Sequence, residues 1–135
     1  MAVNVGQRNV PDTPQNRQLD ACWKARELAI HTIKICNNKN IFLPEYQSAL
    51  TDDIIRTAKN IFVNVWTANN IIVKSQRLWD YRNQYQQKAI LDCNNLLALI
   101  SIARVLFHLK GNKEKLEQNL VMIERKLKEC GCTLN

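Results

Sequence analysis

The sequence predicts an all-α fold, an antiparallel up-down bundle of four helices, and three observations carry that expectation. Glycine and proline are sparse, three of each in 135 residues, so the chain has few places to turn and must form long regular elements. Apolar residues recur at three- and four-residue steps in four separate stretches, the period of a helix with one buried face rather than of a strand. Short polar connections separate these stretches, which sets successive helices side by side in opposite directions. A chain of 135 residues supports one core and not two. The expected division is a flexible lead over residues 1–12, a bundle over 13–131 and a tail over 132–135.

The first helix is expected from Thr13, a capping hydroxyl, followed by Pro14 at the first helical position. It runs to about residue 36, with Leu19, Cys22, Trp23, Arg26, Ile30 and Ile33 as its inward stripe. Asn37 to Asn40 make the connection. Pro44 and Glu45 restart a helix, because proline suits a first turn and an acid complements the positive end of the helix dipole. Its stripe is Leu50, Ile54, Ala58, Ile61, Val65, Ala68 and Ile72. Lys74 and Ser75 link it to the third and longest helix, about residues 76–110, closed by Gly111 as a left-handed cap. The fourth helix spans about residues 113–130, with Leu116, Leu120, Ile123, Leu127 and Cys130 inward and Gly131 as its stop.

The third helix is divided within itself. Its first half is polar and aromatic, and its second half, from Leu96 to Phe107, is apolar nearly all round. A helix that hides more than one face needs more neighbours than a small bundle provides. That points to a homo-oligomer, with Leu99, Ile102 and Leu106 at the boundary between copies. Arg104, flanked by apolar residues, is expected to be half-buried against an acid or at that boundary.

Charge is concentrated in the middle of the chain. Between residues 54 and 110, Arg56, Lys59, Lys74, Arg77, Arg82, Lys88, Arg104 and Lys110 face only Asp80 and Asp92, which accounts for +6 of the net +7. A charge bias held on a pair of helices is the footprint of a polyanion partner, with lysine and arginine neutralising phosphates irrespective of sequence. Arg56, Lys59, Lys74, Arg77, Arg82 and Lys88 are the candidate contacts. Trp79, Tyr81 and Tyr85 are interleaved with them and are of the type that stacks on unpaired bases. Tyr85 also fits the core stripe running to Ala89, and Trp79 fits either role.

Catalytic constellations are not found. A di-metal bundle uses Glu-x-x-His on two helices, whereas Glu27 and His31 stand four apart and His108 has no acid at that spacing. Cys130-Gly131-Cys132 brings two thiols where a structural zinc needs four ligands, and reads as a frayed chain end. There is no glycine-rich phosphate loop and no nucleophile–base–acid set. No enzyme activity, metal or cofactor is expected. Five cysteines, an odd number, imply no disulfide framework. No secretory segment opens the sequence and no run reaches the ~20 apolar residues of a membrane span. The expectation is therefore a cytoplasmic protein with no membrane partner.

Residues 61–70, Ile-Phe-Val-Asn-Val-Trp-Thr-Ala-Asn-Asn, then Arg82 and residues 85–97, Tyr-Gln-Gln-Lys-Ala-Ile-Leu-Asp-Cys-Asn-Asn-Leu-Leu, form a pattern that resembles a family. It is similar to the accessory variability determinant (Avd) proteins of diversity-generating retroelements, over about residues 18–130. The wider superfamily includes four-helix proteins of ribosomal-RNA intervening sequences, whose second-helix Arg-Ala-Ala-x-Ser-Ile-x-x-Asn-Ile-Ala-Glu-Gly stretch is echoed only at its start by residues 56–61. The resemblance implies a homopentamer with a basic barrel surface. It implies association with the element's reverse transcriptase and with RNA and DNA, the polymerase supplying the chemistry of mutagenic copying. Family members can end in a basic, Trp-containing tail, and this chain ends Cys-Gly-Cys-Thr-Leu-Asn. Two other functions fit the same residues: a stand-alone bundle of the intervening-sequence type, and a helical adaptor for an acidic protein.

Overall fold

A computed structural model describes residues 14–109 and 113–134. Four long helices are present: α1 (Pro14–Cys36), α2 (Asp52–Asn69), α3 (Gln76–Leu106) and α4 (Lys113–Leu134), and no strand occurs among the described residues. α2 is approached through a 3-10 turn, Pro44–Tyr46, and a wider π turn, Gln47–Thr51; a second 3-10 turn, Phe107–Leu109, follows α3. α1 packs on α2 and α4, and α3 packs on the same two, most extensively on α2. The cap expected at Thr13, the lead before it and the cap at Gly111 lie outside the described residues.

One core joins all four helices. α2 contributes Ile54, Ala58, Ile61 and Val65, α3 contributes Ala89, Cys93, Leu96, Ile100 and Ala103, and α4 contributes Leu116, Leu120, Ile123, Leu127 and Cys130. The stripes of α2 and α4 are thus those their periodicity predicts, with one exception. Ile72 is 71% exposed, because α2 ends at Asn69 and leaves it in the connection. Asn70 makes that ending: its backbone N–H donates to the Trp66 and Thr67 carbonyls, and its side-chain Nδ2 donates to the Trp66 carbonyl at 2.8 Å. An amide that satisfies the last carbonyls of a helix terminates it.

α1 presents a different face from the one expected. Ala21, Cys22, Ala25, Leu28, Ala29, Thr32 and Cys36 are buried, whereas Leu19, Ile30 and Ile33 are exposed. Trp23 is half-buried and Arg26 exposed, with the Arg26 guanidinium 3.8 Å from the ring centroid. Two stripes at helical spacing coexist on this helix. The one bearing alanine and cysteine wins because small side chains let α1 approach its neighbours closely, and close approach fills a bundle core at native density.

The far end of the core is closed by residues the periodicity did not place. After α1, Asn38 accepts backbone N–H bonds from Ile41 and Phe42, and its side-chain oxygen accepts from the Asn40 N–H at 3.1 Å. This turn tips Ile41 and Phe42 into the core. Phe42 meets Phe107 edge-on with centroids 5.1 Å apart, and Tyr46 lies 6.0 Å from the same ring. Edge-to-face aromatic packing of this kind adds to the stabilisation from burial alone.

Arg104 is half-buried and paired, as its apolar flanks suggest. Its Nη1 and Nη2 donate to Glu124 at 3.1 and 2.7 Å, and its Nε donates to both oxygens of Glu117 at 3.2 and 3.0 Å. Glu124 first and Glu117 second raise its pKa above the ordinary arginine value. By length and composition α3 is apolar enough to cross a bilayer, contrary to the expectation from its apolar run. In the bundle five of its side chains instead complete the core. α4 also continues beyond its expected stop, through Gly131 to Leu134. Cys130 is not part of a frayed end: it is fully buried, and its burial anchors the last turns.

Two buried hydroxyls, those of Thr32 and Thr51, have no hydrogen-bond partner among the described residues. An unsatisfied buried polar atom costs about 1–3 kcal/mol, so Thr51→Val, which keeps the shape, is expected to raise stability by about 1 kcal/mol in urea unfolding. Leu120→Ala, which empties a fully buried position, is expected to lower it by about 2–5 kcal/mol in the same assay.

Candidate nucleic-acid interface

α3 begins where Ser75, in extended conformation, accepts the Leu78 backbone N–H on its side-chain oxygen at 3.2 Å. Serine at this position satisfies one of the unpaired donors of the first turn. The first buried residue of α3 is Ala89, so residues 76–88 add nothing fully buried to the core. Within that stretch Leu78, Arg82 and Tyr85 are half-buried. They fall at the four- and three-residue steps that lead to Ala89, and therefore continue the inward face. Arg77, Tyr81, Gln84 and Lys88 are exposed at steps of four, three and four and make an outward stripe.

This division separates two cations that the sequence placed together. Arg77 and Arg82 stand five apart, about 140° round the helix, and only Arg77 is freely exposed. Lys88 holds its ammonium 4.7 Å from the centroid of the Tyr85 ring, a cation–π contact. Tyr85 in turn meets Tyr81 edge-on, with centroids 5.4 Å apart and hydroxyls 3.5 Å apart. The Tyr85 hydroxyl raises the Tyr81 pKa above the usual phenol value. Tyr81 is 49% exposed and Trp79 46% exposed; among the described residues Trp79 makes no ring contact. Ser75, Arg77, Leu78 and Tyr81 line a cavity of about 520 Å³ where the connection meets α3.

The two cations of α2 lie elsewhere. Arg56 and Lys59 precede the end of α2 by thirteen and ten residues, about 20 and 15 Å along the helix axis. Arg56 is also tied to Asp53 at 2.6 Å, which offsets its charge locally. Lys59, Lys74, Arg77, Arg82 and Lys88 form no ion pair among the described residues. The structure therefore leaves Lys74 exposed in the connection and Arg77 and Lys88 exposed on α3, the last two about 16 Å apart along the axis, sets Arg82 at the inward edge, and holds Arg56 and Lys59 on α2. Trp66, near the end of α2, is 53% exposed beside Phe62, with centroids 5.8 Å apart. It adds an aromatic the sequence reading did not assign. Its position off the Ala58, Ile61, Val65, Ala68 stripe was the available signal.

Of the three residues expected between copies, Ile102 stands exposed, whereas Leu99 and Leu106 pack against the chain's own core. Leu97 is exposed at the groove toward α4, while Leu91, Ile102 and Val105, the last 69% exposed, share one outward face of α3. With Asn95 and Ala98 they repeat at steps of four and three, the spacing of a helix–helix seam.

No group of three or more metal-ligating side chains occurs among the described residues. Comparison with protein-family models, curated proteins and solved structures finds no match for this chain.

If polyanions bind the outward stripe of α3, Arg77→Gln weakens the binding and Arg56→Gln changes it little, since Asp53 already offsets Arg56. Fluorescence anisotropy with a labelled single-stranded oligonucleotide measures both; equal losses would spread the site along α2.

Proposed function

We propose that this chain is a non-catalytic accessory protein of a diversity-generating retroelement, of the Avd type, that binds RNA, DNA and the element's reverse transcriptase. One observation carries the reading. Cations that form no ion pair among the described residues and exposed aromatics share the segment of α3 that the core does not use. Cations there neutralise phosphates and release counterions without reading sequence. Exposed rings such as Tyr81, Trp79 and Trp66 stack on unpaired bases, each worth about 1–3 kcal/mol. The partner is template RNA or its cDNA, engaged with little sequence preference, and mutagenic copying is the polymerase's chemistry. The reading takes the protein as cytoplasmic and without a cofactor, as the sequence leads one to expect.

In this reading the four helices run alternately up and down. The pairing of Cys93 with Cys130 and of Arg104 with Glu117 supports opposite directions for α3 and α4. Several bundles then assemble, as a pentamer by resemblance. The support is the exposed apolar residues on two faces, Leu91, Ile102 and Val105 on α3 and Leu19, Ile30 and Ile33 on α1. Leaving so many large apolar groups in water is a signature of an interaction surface.

Three outcomes test the proposal. Affinity for RNA and DNA is expected to fall steeply with salt, and Arg77→Glu with Lys88→Glu to flatten the log–log slope by about 1 per cation removed. Arg125→Glu with Lys128→Glu on α4 is the control, and equal damage there would make the charge diffuse. Light scattering is expected to give an oligomer that Ile102→Asp disrupts; a monomer for the parent chain at micromolar concentration would remove the assembly. Co-purification with a reverse transcriptase encoded beside this gene, next to template and variable repeats, separates the retroelement reading from a stand-alone bundle.

A further inference from the structure

Between α3 and α4 a groove of about 630 Å³ opens, lined by Ile90, Cys93 and Leu97 on one side and Leu127, Lys128 and Gly131 on the other. Cys93 is thus a wall of a cavity large enough for small solutes. Behind it, one residue before Gly131, Cys130 is fully buried. The two thiols belong to the same core cluster, and Cys93 lines the groove together with Leu127, Lys128 and Gly131, which sets Cys130 on the turn of α4 level with Cys93. Cys22 and Cys36 are also buried and free, but neither lines this groove.

We propose that Cys93 and Cys130 form an oxidisable dithiol that hydrogen peroxide converts to a disulfide, tying α3 covalently to α4. The groove gives the oxidant access to Cys93, and the adjacent buried thiol gives the first oxidation product an immediate partner. The roles divide by environment. The hydrogen bond from Cys130 lowers the Cys93 pKa, while that same bond and burial raise the Cys130 pKa. Cys93 is therefore the thiolate that reacts first, since the thiolate is the nucleophile. By contrast, burial pushes Cys36 up to about 12 and also raises Cys22, which keeps both protonated and inert.

The reaction balances in two steps. A sulfur lone pair of Cys93 attacks one peroxide oxygen, the O–O bond breaks, and the departing hydroxide takes up the proton that Cys93 released, becoming water. Cys93 is then a sulfenic acid. The Cys130 sulfur attacks that sulfur, the S–O bond breaks, the S–S bond forms, and the hydroxide leaves with the Cys130 proton as a second water. Two thiols lose two electrons, and one peroxide is reduced to two waters. The cross-link lies between the two helices at the groove, so it restrains α4's last turns against α3.

The test is peroxide treatment of the full-length folded protein, followed by intact mass and non-reducing peptide mapping. The expected result is a loss of about 2 Da per chain, a single linked peptide pair joining Cys93 to Cys130, and reversal by dithiothreitol. Cys130→Ser is expected to leave a sulfenic acid on Cys93 that dimedone traps, whereas Cys93→Ser leaves Cys130 unlabelled. Circular dichroism confirms that each variant is folded, and Cys130→Ala replaces a serine variant that is not. Linkage through Cys132, Cys22 or Cys36, or labelling of Cys130 in preference to Cys93, overturns the proposal. So does a folded parent chain that forms no disulfide under peroxide. The reading is independent of the nucleic-acid proposal, since nothing in it depends on Arg77 or Lys88.

Discussion

Burial of one face of α3 from Ala89 to Ala103, continued by Phe107 just after the helix, is the constraint on which the remainder of the structure depends. Ala89, Cys93, Leu96, Ile100, Ala103 and Phe107 recur at steps of four and three, so a single continuous face meets the core. α2 covers it from one side, where the Asn64 Nδ2 donates to Asp92 Oδ2 at 3.1 Å. α4 covers it from the other, where Arg104 reaches Glu117 and Glu124. Apolar burial is the dominant favourable term in a domain of this size. The register that buries these six residues therefore decides where every other residue of α3 must stand.

Two consequences follow from that register. Upstream of Ala89 the helix carries no fully buried side chain, and this is where polar and charged residues cost nothing to place. Arg77, Tyr81, Gln84 and Lys88 can remain solvated while the helix that bears them is held rigid from its other end. Cations on a rigid scaffold lose less freedom on binding than cations on a loop, which favours this segment as a contact surface. Downstream, the face opposite the core holds Leu91, Ile102 and Val105, large apolar residues for which one bundle has no use.

The packing of α3 against α4 has a different character from its packing against α2. It is held at one level by the Arg104 carboxylate network and at another by the Cys93–Cys130 thiol pair. The groove opens around the second level, with Cys93 and Gly131 in its walls, and reaches Glu124 of the first. A seam fixed by a few directional contacts is more open to chemical change than one filled by interlocking side chains, whose loss is felt along the whole interface.

Much of the architecture was legible because it follows from periodicity. Leu116, Leu120, Ile123, Leu127 and Cys130 on α4, and Leu50 to Ala68 on the second helix, have no rival stripe, so spacing alone names their buried face. Arg104 was legible too, since a cation among apolar residues must find an acid. α1 was not: Leu19, Ile30 and Ile33 share helical spacing with Ala21, Ala25 and Leu28, and only the distance at which the other helices pack chooses between them. The candidate site divides in the same way. The sequence by itself determined that charge and aromatics crowd the start of the third helix, because composition and order are local facts. Tertiary structure alone decided that Arg77 and Lys88 face outward while Arg82 turns toward the core, and that Cys93 meets Cys130. Each of these depends on the rotation of one helix about its axis or on contacts between groups, which only packing against a neighbour fixes.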